Sequence, residues 1–282
     1  MLGLMQDTPL TLSSLLDHAA RFHGEVEIVS KDPGGATRTN YARIAARARQ
    51  LAAALRRRGL REGDRVASLA LNTARHLELY YGATGAGGIL NTVNPRLFPE
   101  QIAFILRHAE NRIVFFDPAF GPLLETLVDL APQVEAYVCL SSASDMPSLR
   151  LPNLIAYEDL LAPEAKDAAW TAVSENAGAI LCYTSGTTGD PKGVLYSHRS
   201  LILHAFVATG ADGMAISRRD SILLVTPLFH VNAWGIPFSA AMCGAKLVLP
   251  GAAVDGESLF SLLRAERCTF SLGVPTVWLG FL

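Results

Sequence analysis

The sequence predicts an α/β fold: mainly parallel sheets flanked by helices. Three observations carry this. Strand-like runs such as Arg112–Phe116, Ala136–Leu140 and Ser221–Val225 alternate with segments of helical period, the pattern of βαβ units with helices on both faces. With 282 residues, 50% hydrophobic and 18% charged, the chain has material for a sizeable core, in one large domain or two modest ones. A stretch rich in glycine and threonine follows one apolar run directly, where a loop can turn its backbone N–H groups toward an anion.

Thr11 to Phe22 reads as an amphipathic helix, because Leu12, Leu15, Leu16 and Ala19 share one face. Glu25–Ser30 is a short strand. Thr39 or Asn40 caps the next helix, in which Ile44, Ala48, Leu51, Ala52 and Leu55 recur at helical spacing until Gly59 ends it. Arg56, Arg57 and Arg58 read as a solvated helix end that complements the C-terminal dipole, in preference to an anion site. Asp64–Leu71 is strand-like. Thr73–Ala86 is a buried helix whose small residues (Gly82, Ala83, Gly85, Ala86) predict close packing against a sheet. His76 on this helix reads as an ordinary core or surface histidine.

Pro99 suits the first turn of a helix that runs through His108. Arg112–Phe116 is a strand, Phe120–Leu130 a helix and Ala136–Leu140 a strand. Ser141–Pro152 clusters serine and proline without periodicity and is the best linker, between subdomains of one domain. A helical piece near Tyr157–Leu161 and a polar, alanine-rich stretch lead to the strand Ala179–Cys182. Beyond the loop, Ser200–Gly210 is helical, Ser221–Val225 a strand, Ala233–Cys243 a helix and Lys246–Leu249 a strand. Ser258–Arg267 is a helix and Thr269–Leu272 a strand, and Pro275 opens a last helix.

The net charge of −2 offers no bulk attraction to nucleic acid or to an anionic bilayer. Cys139, Cys182, Cys243 and Cys268 form no C-x-x-C pair, which argues against zinc and disulfide frameworks and fits a reducing cytoplasm. The N-terminus lacks the basic and apolar regions of a signal peptide, and no apolar run reaches the ~18 residues of a membrane span.

Two stretches carry chemistry. The first is Leu181-Cys182-Tyr183-Thr184-Ser185-Gly186-Thr187-Thr188-Gly189-Asp190-Pro191-Lys192-Gly193. Its glycines free the backbone, the hydroxyls of Thr184, Ser185, Thr187 and Thr188 add donors or a metal ligand, and Lys192 adds a compact positive charge. Lysine occurs only at 31, 166, 192 and 246, so one inside this loop is informative. The spacing G-x-x-G-x-x-K-G differs from the ordinary P-loop, because Gly193 stands where a Mg²⁺-binding hydroxyl would follow the lysine. The second stretch, Thr226 to Phe238, follows a predicted strand at what would be the carboxyl edge of a parallel sheet, where α/β proteins bind ligands. It contains His230, Val231, Asn232 and Trp234.

The first stretch resembles the phosphate-loop signature of the adenylate-forming superfamily of acyl-CoA synthetases, luciferases and peptide-synthetase adenylation domains. The second, with Gly273-Val274-Pro275-Thr276-Val277-Trp278, most resembles the bacterial medium- and long-chain fatty-acyl-CoA synthetases. The resemblance spans essentially the whole chain and implies a partial large N-terminal domain of such an enzyme, within 1–282. It implies ATP-dependent activation of a carboxylic acid to acyl-AMP, then transfer to CoA. Thr184, Ser185, Gly186, Thr187, Thr188, Gly189 and Lys192 would hold the phosphates, with Thr184 on Mg²⁺ and Lys192 acting at the reacting phosphates. His230 would act at the substrate side, with Val231 and Trp234 lining the acyl pocket.

The family's adenine and ribose segments, and its small C-terminal domain with a catalytic lysine, have no counterpart in these residues. The resemblance therefore implies about half of a synthetase, weak or inactive by itself, with an uncovered sheet edge. It also implies a homodimer formed through the N-terminal region. An aryl-acid or other adenylating ligase, a non-catalytic nucleotide- or partner-binding relative and a P-loop NTPase are the alternatives.

Overall fold

Side-chain caps fix where the helices begin. In the computed structural model, which describes residues 3–32, 35–184 and 190–281, the Thr11 hydroxyl accepts from Ser14 N–H at the start of α1 (Leu12–Phe22). Strands β1 (Glu27–Asp32) and β2 (Gly35–Asn40) pair as an antiparallel hairpin. Asn40 then accepts from Arg43 N–H and starts α2 (Tyr41–Arg57). Thr73 does the same between β3 (Arg65–Leu69) and α3 (Ala74–Gly85) by accepting from His76 N–H. Each cap satisfies one of the otherwise unpaired N–H groups of a helix's first turn.

The chain continues through β4 (Ile89–Thr92), α4 (Pro99–His108), β5 (Asn111–Phe116), α5 (Gly121–Glu125), β6 (Ala136–Cys139), β7 (Leu154–Ala156) and α6 (Tyr157–Leu161). It then forms β8 (Gly178–Thr184), β9 (Lys192–Ser197), α7 (His198–Thr209), β10 (Ser221–Leu224) and the single turn α8 (Val231–Trp234). The last elements are α9 (Ile236–Cys243), β11 (Lys246–Leu249), α10 (Gly256–Ala265), β12 (Phe270–Leu272) and α11 (Pro275–Leu279).

These strands make two sheets, ordered β7-β6-β5-β3-β4-β8-β9 and β12-β10-β11-β1-β2. All pairs are parallel except the hairpins β1–β2 and β8–β9. The predicted mainly parallel, helix-flanked architecture is what forms. Alternation along the strands divides the core. Val66, Ile113, Phe115 and Val138 of the larger sheet, with Ile28, Ile222, Leu224, Leu247 and Leu249 of the smaller, face one shared core built with α1, α2, α3 and α9. Ala67, Val114, Phe116 and Tyr137 point the other way, toward α4 and α5. Val29, Leu223 and Val248 point away from the shared core, where α10 supplies only Leu259 as a buried residue. A side-chain period of two produces this division.

Several expectations change. β2, β4, β7 and β9 were not legible as strands, being short, polar or exposed. The predicted helix 120–130 keeps α-helical geometry only over Gly121–Glu125, between 3₁₀ turns at Pro118–Phe120 and Val128–Leu130. The helix α3 packs against the sheet as expected, and its glycines also admit neighbours on its other sides. A Cβ on Gly82 would lie 2.5 Å from Leu51 of α2, and one on Gly85 would lie 2.4 Å from the Trp170 ring. His76 is fully buried, with Nε2 3.0 Å from Ser68 Oγ and Nδ1 2.9 Å from the Leu71 carbonyl, and burial lowers its pKa to about 4. The basic end of α2 is tied down as well as solvated: Arg57 pairs with Glu164 at 2.8 Å and Arg56 donates to Thr171. The stretch 141–152 joins β6 to β7, neighbours in one sheet.

Candidate functional site

The first stretch forms the connection of a hairpin. β8 carries Ala179, Ile180 and Cys182 into the core and ends at the exposed Thr184. β9 returns antiparallel from the exposed Lys192, and the register sets Thr184 opposite Lys192 and Tyr183 opposite Gly193. A hydroxyl and an ammonium therefore flank the mouth of the connection 185–191. The predicted Ser185, Gly186, Thr187, Thr188 and Gly189 lie outside the described residues. Gly193 has a packing role: a Cβ there would sit 3.1 Å from both Tyr183 and Leu181. Tyr183 is in turn fixed by a 2.7 Å hydrogen bond between its hydroxyl and His108 Nδ1.

The second stretch leaves β10 at its carboxyl end. The predicted helix 233–243 begins at Ile236, because Val231, Asn232, Ala233 and Trp234 adopt φ of 45°, 55°, 48° and 53°, followed by Gly235 at 75°. Elsewhere among the described residues, positive φ occurs singly. A left-handed run costs L-residues about 1–2 kcal/mol each, so the surrounding structure must impose it. Short backbone bonds do part of this, Ala233 N–H to the His230 carbonyl at 2.9 Å and Gly235 N–H to the Asn232 carbonyl at 3.0 Å.

Side chains do the rest. The Cys182 thiol donates to Asn232 Oδ1 at 3.4 Å, joining β8 to α8, and burial pushes that thiol's pKa up, which preserves the S–H donor. His204 of α7 has Nε2 3.1 Å from the Trp234 carbonyl. Asn72, just past β3, donates to the carbonyls of Leu224 (2.7 Å) and Thr226 (2.9 Å) and accepts from Leu228 N–H (2.7 Å). The hydroxyls of Tyr80 and Tyr81 on α3 donate to the carbonyls of Leu228 and Pro237.

The predicted His230, Val231 and Trp234 thus share one turn, with His230 and Val231 exposed and Trp234 half-buried, and that turn is bonded to the strand that presents Thr184. Sequence reading missed Asn72, Tyr80, Tyr81 and His204, because the groups they hold lie 30 to 156 residues away and no local spacing links them. Nearby, Asp117 at the end of β5 accepts from Leu71 N–H at 2.6 Å, and burial raises its pKa to about 6. Among the described residues, no group of three or more His, Cys, Asp or Glu is placed to hold a metal, and no helix is long and apolar enough to cross a membrane.

Comparison with known proteins agrees with this fold. Residues 15–282 match the family described as AMP-binding enzyme. The chain is 49% identical to the medium-chain-fatty-acid–CoA ligase of Ectopseudomonas oleovorans over all of its own length and 52% of that protein. It is 47% identical to the 3-methylmercaptopropionyl-CoA ligase of Ruegeria lacuscaerulensis, again over all of this chain and 52% of the relative. The chain therefore spans about half the length of the curated relatives it matches. The fold matches the crystal structure of the anthranilate CoA ligase AuaEII in complex with anthranoyl-AMP, with a TM-score of 0.87, 23% identity, and coverage of 98% of this chain and 52% of that one. A matched segment of this extent, on a fold that brings both motif stretches together, places the chain in the adenylate-forming, AMP-binding enzyme family.

Proposed function

We propose that this protein serves the ATP-dependent activation of a medium- or long-chain fatty acid to acyl-AMP and then to acyl-CoA, its residues forming part of the large adenylation domain. The observation that carries this reading is the bond from Cys182 to Asn232, which joins the strand presenting Thr184 and Lys192 to the turn bearing His230, Val231 and Trp234. Phosphates bound between Thr184 and Lys192 would then lie on one side, and an acyl chain along Val231 and Trp234 on the other.

In the first step a carboxylate oxygen of the acid attacks the α-phosphorus and the bond to the bridging oxygen breaks, releasing pyrophosphate. In the second, CoA thiolate attacks the acyl carbon and AMP leaves. Lys192 acts by charge, stabilising the pyrophosphate oxygens as they depart. By the family resemblance, Ser185, Thr187 and Thr188 would add hydroxyl donors to the same phosphates. His230 orients the carboxylate, and the Trp234 indole offers a flat apolar surface to methylenes. Mg²⁺ takes oxygen ligands and keeps phosphates and waters around it, so the exposed Thr184 hydroxyl fits it as one ligand, and the ion would supply charge neutralisation. Four cysteines, all free thiols, support a cytoplasmic setting. Homodimerisation rests on the family resemblance.

A second reading is a short thioether acid as the substrate, favoured by the comparable identity to the 3-methylmercaptopropionyl-CoA ligase. Calorimetric titration separates the two. Decanoate should bind more tightly than 3-methylthiopropionate, and the reverse order would select the second reading. Lys192→Ala should weaken ATP binding about tenfold, as expected for removing a charge-assisted phosphate contact. Unchanged ATP affinity would overturn the assignment of this hairpin to phosphate binding.

A further inference from the structure

We infer that Asn72 is a positioning residue for the acyl side of the site, an inference that rests on the proposed role of the 226–238 segment. Asn72 is 5% exposed and its side chain is fully used: two donors go to the Leu224 and Thr226 carbonyls, and its one oxygen accepts from Leu228 N–H. Only a primary carboxamide offers two donors and an acceptor on so short a stem. Aspartate would face two carbonyl oxygens with a carboxylate, serine can donate only once, and leucine leaves all three groups unpartnered.

The location gives these bonds a purpose beyond satisfaction. Asn72 lies past the carboxyl end of β3, in the same sheet as β8, and its own carbonyl accepts from Gly251 N–H at 3.0 Å beyond β11. It therefore pins the exit of β10, in one sheet, to the sheet that presents Thr184 and Lys192. Tyr80 adds a bond to the Leu228 carbonyl, directly beside the N–H that Asn72 holds. From Leu228 the chain needs two residues to reach His230 and six to reach Trp234, and this short path runs into a left-handed run that local preference disfavours. Fixing Leu228 fixes where that run starts. Asn72 thereby sets the offset between the acyl-side turn and the phosphate-side hairpin without touching either ligand.

Hydrogen exchange and calorimetry on the whole chain test this with Asn72→Ser. The amides of Leu228, Ala233 and Gly235 should exchange about tenfold faster while those of β8 and α7 stay unchanged, because hydrogen bonds that Asn72 makes at the head of the segment are lost. Decanoate affinity should fall about tenfold with ATP affinity held within about twofold, a split that general destabilisation would not produce. Faster exchange confined to Leu228, or equal losses for both ligands, would overturn the inference. If unaltered protein binds no decanoate, the proposed function fails, and the exchange pattern alone still decides the role of Asn72. If Asn72→Ser does not fold, Tyr80→Phe must show the same pattern from 228 to 235, and a flat pattern there counts against the inference.

Discussion

The two halves of the candidate site are held in opposite ways. The 184–192 connection hangs between antiparallel strands whose register alone sets Thr184 against Lys192. Its composition, rich in glycine and hydroxyls, reports its chemistry without any distant partner. The 226–238 segment makes few regular bonds and holds a backbone that its own residues disfavour. Its partners come from far away: Asn72 lies 152 residues before Leu224, and Tyr81 lies 156 before Pro237. One half is a local motif; the other is a conformation imposed by tertiary contacts. Substitutions should therefore harm stability in the second half and ligand affinity in the first.

The largest effect is expected at Asn72. Asn72→Leu buries an N–H and two carbonyls without partners, at about 1–3 kcal/mol each before relaxation, so a loss of about 4 kcal/mol should appear in urea unfolding. A loss below about 1 kcal/mol would mean that water or backbone movement replaces the clasp. Gly235→Ala comes next. Its φ is +75°, and the new Cβ would lie 2.4 Å from His204 Cδ2, so the exposed ring must swing away from the Trp234 carbonyl. Backbone strain and the lost bond together predict about 2 kcal/mol.

Acid should loosen the anchor on the far side of the hairpin. His198, at the start of α7, accepts from Leu12 N–H at 3.2 Å, and burial lowers its pKa to about 4 from 6.5, as burial also does at His76. Both histidines fold neutral while the unfolded chain protonates them near pH 6.5. Their stabilisation is complete above that value and is lost as pH falls toward 4. From pH 7 to 5 each should cost about 2 kcal/mol, and Asp117, raised to about 6 by burial, should return about 1. His198→Asn retains an acceptor near Nδ1 and should remove about 2 kcal/mol of this dependence in denaturation at the two pH values. The smallest effect belongs to Lys192→Ala. An exposed residue at a strand end should move stability by no more than about 0.5 kcal/mol while weakening ATP binding. A large loss of stability there would erase the contrast between the halves.

Much of the fold could be read from the sequence because its information is local. The helix cap at Asn40, the apolar face of α1, and the apolar strands β3, β5, β6, β10 and β11 depend on residues within a few positions of each other. The alternation that divides Ile113 and Phe115 from Val114 and Phe116 between two cores follows from strand geometry once the strand exists. The strands that escaped notice were those in which pairing outweighs composition. β4 includes Asn91 and Thr92, yet it is buried throughout, and the Asn91 amide donates to Asn111 Oδ1. β9 exposes Val194 and Leu195, and only its pairing with β8 makes it a strand.

The same division applies to the site. Sequence alone determined the family, singled out Thr184 and Lys192 as candidates for the phosphate side, and grouped His230, Val231 and Trp234, since each rests on residue types at fixed short spacing. Tertiary structure alone decided the hand of the turn that carries those three residues. Right-handed helix is the local preference from Ala233 onward, and it is overridden because Asn72, Tyr80, Cys182 and His204 hold successive parts of the chain to groups they could not otherwise reach. Backbone conformation follows local preference only where distant hydrogen bonds do not outweigh it, and at this turn they do.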